Sequence, residues 1–501
     1  MNRRADTLSL PKRLTAAAAA CALLAGQPGW ADELEDSLPD IGSPADTVLT
    51  KQQELQIGRS IYKSLRDTGR VMTDPEVQEY IQDVGQKLAA HAQDGEFRFR
   101  FFVVDDPAIN AFALPGGYIG VHSGLILATA NESELAGVLA HEIAHVTQRH
   151  ISRAIYANQR MSILTMAAML GAILVGAATG SSDAAQGAIA AAQGFSAQQQ
   201  INFTRENEYE ADRVGVGILA STGFDPQGMP SFFETIGRQS GPLAAQVPEF
   251  LRTHPVTVNR IAETRSRAAE YDVGEIHDAA GYSLTRARLL LLTADTPEQA
   301  LQRFLADARD PDRSRSLGPR YGVALARLQL GQANRALEDF IGLLSAHPEI
   351  IHFHTGLAAA QLALGDWPAA ERTYRAALKL FPRNRPLTIR FAEALMQNDR
   401  PEEAHRLLLD LYNQVPPTAE QVRQIALAAS AAGDTADAHY YMAEYHLMNG
   451  DLQMATDQLR LALSIPGLDG VQRARFRSRL AQVQEAMQPP KGKRRAAERR
   501  P

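Results

Sequence analysis

A chain of 501 residues is longer than one hydrophobic core usually organises, so two or three domains are expected. With 45% hydrophobic and 22% charged residues, the composition is that of an ordinary globular protein and not of a disordered one. A net charge of −6 supplies no basic face for a phosphate backbone, so no nucleic-acid partner is expected.

At the N-terminus, Arg3, Arg4, Lys12 and Arg13 precede an apolar run from Leu14 to Gly26. This pattern predicts an export signal over residues 1–31, cleaved near Ala31, and the run is too short to span a bilayer comfortably. The single cysteine, Cys21, lies inside that signal. The exported chain would therefore carry no thiol to mispair in an oxidising compartment. A lipidated Cys21 is the competing reading, but Ala18, Ala19 and Ala20 lack the leucine usual before such a cysteine. Residues 32–50 are acidic and rich in proline and serine, and a flexible leader is expected there.

From residue 51 a first domain is expected to run to residue 275. Leu55, Ile61, Leu65, Val77, Ile81, Val84 and Leu88 predict two amphipathic helices broken near Asp74-Pro75. The period then changes: residues 97–104 alternate, and a Pro-Gly-Gly turn divides the apolar run 111–127, which predicts a small sheet. Helical patterning resumes at Glu132. Asn131 and Glu134 there have the spacing of a capping box. Residues 161–180 form an uncharged, Ala- and Gly-rich run of nominal membrane-spanning length. Three readings stand: a lid or membrane-touching segment over 161–200, a true span, and a buried core helix. The first is the most economical, because the run sits between two parts of the candidate site.

The second half carries a 34-residue period. Gly331 and Gly365 share it, as do Ala336, Ala370, Ala404 and Ala438, then Pro348, Pro382 and Pro416, with Phe340, Tyr374 and Leu408 at one packing position. That is the tetratricopeptide period, and it predicts an α-solenoid over residues 283–485 in which the small residues, glycines included, let the two helices of each unit approach closely and the prolines end the second helix. Residues 296–305 read as a degenerate opening repeat and 447–459 as the closing one. The basic tail, 486–501, is expected to be disordered, with contact to anionic lipid as the lesser alternative.

The chemistry concentrates in His141-Glu142-Ile143-Ala144-His145. On a helix, two histidines four apart project from one face and share a metal, while Glu142 beside them accepts a proton from water. A third ligand must come from elsewhere. Gln148 and Ile151 stand where a longer zinc motif needs Gly and His, and His150 falls half a turn away on a continuous helix. The acidic segment 205–212 is the best supplier. Glu208 and Asp212 are four apart, so one can bind metal while the other orients a ligating histidine, although Glu206 and Glu210 also remain open.

The HEIAH motif followed by Glu208-x-x-x-Asp212 resembles the HtpX and CAAX prenyl protease clan of zinc metallopeptidases. With the export signal and the repeats, the likeness falls in the subgroup of that clan that serves outer-membrane protein assembly, and it covers roughly residues 50–485. It implies an α+β, mostly helical fold: a gluzincin-type domain with a small sheet, then the solenoid. It implies one Zn2+ held by His141, His145 and Glu208, with Glu142 as general base and Asp212 supporting the histidines. The resemblance further implies that Ala111, Phe112, Ala113 and Leu114 form an edge strand for substrate, which suits the unpaired backbone groups of a sheet edge. His254, in Thr253-His254-Pro255, is implied as a fourth ligand that keeps the enzyme latent, and Arg260 is a candidate oxyanion stabiliser. Unfinished outer-membrane proteins and the barrel assembly machinery are the implied partners, met through the repeats in the periplasm. The alternative is a repeat-based periplasmic chaperone with a mainly latent zinc site. Glu142 weighs against it, since a structural metal site has no use for a general base.

Overall fold

The computed structural model describes residues 49–92, 97–157, 205–239, 248–272, 274, 278–313 and 316–487. The expected signal and the 161–200 segment lie outside the described residues, as do all but two residues each of the leader and the basic tail. Among the described residues, no helix is long and apolar enough to cross a membrane.

Helix α1 (Lys51–Asp67) opens on a capping box in which Thr50 and Gln53 satisfy each other's backbone N–H. Helix α2 (Pro75–Ala89) begins where the sequence predicts a break, with Asp74 accepting from the Val77 N–H and proline in the first turn. Among the described residues three strands follow, β1 (Arg100–Val104), β2 (Ala111–Leu114) and β3 (Tyr118–His122), in the order β1-β3-β2. β1 runs parallel to β3, whereas β2 pairs antiparallel with it, Phe112 opposite Gly120, and forms an edge. The β2–β3 turn uses Gly116 and Gly117 at φ 78° and 84°, values that exclude most side chains. A Cβ on Gly116 would lie 2.5 Å from the Leu55 Cα, so this turn is pressed onto α1.

After α3 (Ser123–Ala128) comes the central helix α4 (Glu132–Thr147), buried on nearly every face. Asn131 caps it by accepting from the Glu134 N–H at 2.9 Å. The reciprocal half of the expected capping box differs. Glu134 accepts instead from the Ala130 N–H, at 2.7 Å, and also from the Ser231 hydroxyl, which a later helix brings within its reach. Arg149, at φ 53°, ends the run before α5 (His150–Ala157). Helices α6 (Arg205–Thr222), α7 (Gly228–Gln239), α8 (Glu249–Thr253) and α9 (Val258–Ala268) complete the first domain. α6 lies close along α4: a Cβ at Gly215 would stand 3.2 Å from the His141 backbone nitrogen.

The solenoid comprises α10 (Ala280–Leu292), α11 (Pro297–Asp307), α12 (Gly318–Gln329), α13 (Ala333–Ala346), α14 (Ile351–Ala363), α15 (Trp367–Leu380), α16 (Arg385–Gln397), α17 (Pro401–Tyr412), α18 (Ala419–Ala431), α19 (Thr435–Met448), α20 (Leu452–Ser464) and α21 (Gly470–Met487). Ala336, Ala370 and Ala404 are fully buried, and Ala438 nearly so, at the helix contacts their period predicts. The repeating Gly331 and Gly365 serve a different purpose from the expected close approach. They adopt φ 72° and 77° just past a helix end, with open space around them. Close approach belongs to Gly322 and Gly356, onto which Phe304 and Phe340 press.

The array docks on the first domain through charge. At the start of α2, the capping Asp74 and Glu76 meet Arg288 of α10 and Arg390 of α16, and Glu79 meets Arg385. Farther along, Arg66 of α1 donates to the Tyr445 hydroxyl at 3.1 Å and to Asn449 Oδ1 at 3.0 Å, both on α19 and its cap.

Candidate metal centre

Four ligand atoms converge between α4, α6 and the end of α8. They belong to His141, His145, Glu208 and His254, all buried, and lie within 4.8 Å of one another. His145 Nε2 is 3.0 Å from His141 Nε2, which is 3.4 Å from His254 Nδ1. Glu208 closes the figure, 3.2 Å from His254 Nδ1, 3.5 Å from His141 Nε2 and 3.6 Å from His145 Nε2. Donors tetrahedrally placed about zinc at 2.0–2.1 Å would stand about 3.3 Å apart. The four residues fit that ion in size, and an imidazole and carboxylate donor set fits it in chemistry.

Electrostatics agree with the geometry. Burial opposes charge on His141, yet hydrogen bonding to Asp212 and Glu208 pushes it up to about 9, so this point of the fold favours positive charge. Burial and the neighbouring His141 hold His145 well below the usual histidine range, which keeps its lone pair available. Burial disfavours charge on Glu208, but His254 and His141 outweigh it and hold the carboxylate well below its ordinary range.

Glu142 is also wholly buried, and its Oε1 stands 3.4 Å from His254 Nε2. Burial raises its pKa, against the opposing influence of His254, His141 and the Ala113 backbone N–H. The last of these places the edge strand β2 beside Glu142. His254 thus turns Nδ1 to the ligand cluster and Nε2 to Glu142. It is the C-cap of α8, held by its N–H donating to the Phe250 carbonyl at 2.7 Å and by the Phe250 ring, 4.9 Å away at 32°.

Asp212 Oδ1 lies 3.0 Å from His141 Nδ1, the position that fixes which ring nitrogen carries the proton. The guanidinium of Arg260 is committed differently from the oxyanion stabiliser expected of it. Its Nε and one terminal nitrogen donate to Asp212 at 2.7 and 2.8 Å, and the other terminal nitrogen reaches the Pro255 carbonyl at 2.9 Å and Glu208 at 2.8 Å. With every donor group engaged by residues of the site, Arg260 is a clamp on the two carboxylates.

Sequence reasoning placed His150 away from the centre, left Glu210 open only as an alternative metal ligand, and did not single out Arg153. His150 Nδ1 is 2.8 Å from His145 Nδ1, and its Nε2 is 3.1 Å from Glu210 Oε2, to which Arg153 donates at 2.8 Å. A continuous helix would carry His150 away from the centre; the left-handed Arg149 turns it back. The only signal was negative: nothing in the sequence forces helix through residues 148–150.

The fold and site together define a metallopeptidase joined to a tetratricopeptide array. The model of Peptidase family M48 matches residues 75–268, and a tetratricopeptide repeat model matches residues 362–426. The chain is 33% identical to the beta-barrel assembly-enhancing protease of Escherichia coli K12, over 96% of this chain and 98% of that protein. It is likewise 33% identical to the protein of that name in Yersinia pestis, over 90% of this chain and 92% of the relative. Among solved structures, a thermophilic TPR protein of Thermus thermophilus matches at TM-score 0.23 and 23% identity, covering 40% of this chain and all of that one. The chain belongs to the family of beta-barrel assembly-enhancing proteases.

Proposed function

We propose that this chain is an exported zinc endopeptidase of the periplasm, which degrades misassembled outer-membrane proteins while its repeats, residues 283–485, support the assembly of others. The observation that carries this reading is the buried cluster of His141, His145, Glu208 and His254 with Glu142 against it. His141, His145 and Glu208 hold the metal, Asp212 orients His141, and Arg260 fixes Asp212 and Glu208. Zinc, when bound, supplies the Lewis acidity that a peptide carbonyl and an attacking water both need. Glu142 takes the proton from that water and passes it to the leaving amine. The substrate lies as an added strand along Ala111, Phe112, Ala113 and Leu114, which puts its backbone beside Glu142.

His254 keeps this machinery latent at rest. One nitrogen takes the fourth ligand position and the other engages the general base, so a single side chain withdraws both. Unfinished outer-membrane proteins and the barrel assembly machinery are the partners whose binding releases it. The deciding experiment is Glu142→Gln in the full chain, assayed for metal content and for cleavage of an unfolded porin. One zinc per chain should remain, and hydrolysis should fall by about 10²–10⁴-fold, because the amide accepts no proton. Undiminished hydrolysis would show that the chemistry lies elsewhere, and a repeat-based chaperone would then be the better reading.

A further inference from the structure

We propose that His150 is a positioning residue for the metal centre, which acts with Glu210 and Arg153 to fix the tautomer and the aim of His145. This inference rests on the reading of His145 as a metal ligand.

Proton accounting leaves one consistent assignment. A neutral imidazole carries a single N–H, and His145 must offer the lone pair of Nε2 toward His141 and Glu208 to serve as a ligand. Its proton is therefore on Nδ1, 2.8 Å from His150 Nδ1, which must accept it. The one N–H of His150 then lies on Nε2 and donates to Glu210 Oε2 at 3.1 Å. Arg153 donates to the same oxygen and holds that carboxylate as an acceptor. In the opposite arrangement His150 would turn a lone pair toward a carboxylate, and the proton of His145 would point into the ligand cluster. The acidic end of the chain thus sets its direction.

Burial makes the arrangement exacting. The His150 ring is fully buried, so removing it would take a buried acceptor away from the Nδ1–H of His145. The two metal histidines then have separate supports of the same logic. His141 is aimed by Asp212, itself clamped by Arg260 from α9; His145 is aimed by His150, anchored to Glu210 from α6. Arg149 keeps the second support in place. Its strained backbone makes the bend, while its guanidinium donates to the Leu49 carbonyl and to Glu54, each at 2.8 Å.

The test is zinc affinity of the full chain by competition with a chromophoric chelator, together with the visible absorption of the Co2+-substituted protein, with folding checked by circular dichroism. His150→Leu should bind zinc about 10–100-fold more weakly and alter the cobalt spectrum, as loss of an outer-shell partner does. His150→Asn, whose amide oxygen can accept from His145, should recover most of the loss. In the background of His145→Ala, His150→Leu should cause no further loss, since the residue acts through His145. If His150→Leu does not fold, Glu210→Ala at a partly exposed position should still weaken zinc by about tenfold. Unchanged affinity in whichever of these variants folds, or additive losses in the double variant, would overturn the proposal. Unchanged affinity in His145→Ala alone would instead overturn the ligand assignment beneath it.

Discussion

The junction between peptidase and repeats turns on Glu76, and its charge can be removed without changing its shape. Glu76 is buried, its carboxylate accepting from Arg390 at 2.8 and 3.2 Å with an Arg288 terminal nitrogen 3.3 Å away. Burial alone would raise its pKa. The Arg288 and Arg390 charges outweigh burial and hold it at about 2, against an ordinary 4.5. Folding therefore gains about 3 kcal/mol from this carboxylate at neutral pH. Because the folded pKa is depressed, the gain is complete above pH 4.5 and is lost as pH falls from there towards 2. Glu76→Gln should destabilise the full chain by about 3–5 kcal/mol at pH 7, the range for breaking a buried ion pair. At pH 3 the electrostatic part should shrink to about half. Urea unfolding of the metal-free proteins, followed by emission of Trp367 in the repeat array, measures both values. Effects of acid on the metal ligands are common to the two proteins and cancel in the difference. A difference below about 1 kcal/mol at pH 7, or one that stays constant down to pH 3, would refute the assignment of the junction to this ion cluster.

Three other substitutions follow from contacts of the structure. His254→Ala should raise proteolysis, including self-cleavage, with zinc content unchanged by metal analysis; a loss of activity in a folded protein would make His254 part of the catalytic apparatus. Gly58→Ala would place a Cβ 2.0 Å from the Pro115 carbonyl, so it should displace the β2–β3 turn, cost about 1–3 kcal/mol in thermal unfolding and reduce peptidase activity. Phe340→Ala should cost about 3–5 kcal/mol of repeat stability while the separate metal site keeps its zinc affinity, and weakened zinc binding would count against independent cores.

What could be read from the sequence was local. His141, Glu142 and His145 sit within five residues of one helix, so their relative placement follows from helical geometry alone. The glycine turn before β3 and the 34-residue alanine period were legible for the same reason: each is a short-range rule repeated or punctuated. Failures came where a backbone break or a distant partner decided. His150 joined the centre only because Arg149 takes a left-handed conformation, and Arg260 was assigned an oxyanion because no one-dimensional rule pairs it with Asp212, 48 residues earlier. The Asp74–Glu76 junction was invisible since its arginines come from helices more than 200 residues away. The repeating glycines were given the wrong task, as a glycine at a helix end and one under a ring share the same 34-residue spacing.

Latency of the kind proposed needs a mechanical link between substrate and latch, and the backbone supplies one. The Phe250 N–H donates to the Ile109 carbonyl at 3.1 Å, two residues before β2 begins. Phe250 in turn accepts from the His254 N–H and lies against its ring. Helix α8 is thus tied to the chain just ahead of β2, the strand along which the proposed substrate would add. α8 is only five residues long, and among the described residues it has a proline N-cap that makes no side-chain hydrogen bond. So short a helix holds little stability of its own, because nucleation consumes most of what its few hydrogen bonds provide. Its position depends on Phe250, which is fully buried against Phe232, and on the Ile109 tether. Strand addition at β2, as proposed, would bear on that tether, whereas His141, His145 and Glu208 sit on the long helices α4 and α6. A weakly held element beside a rigid centre is what such a switch requires, provided the partner favours a displaced form.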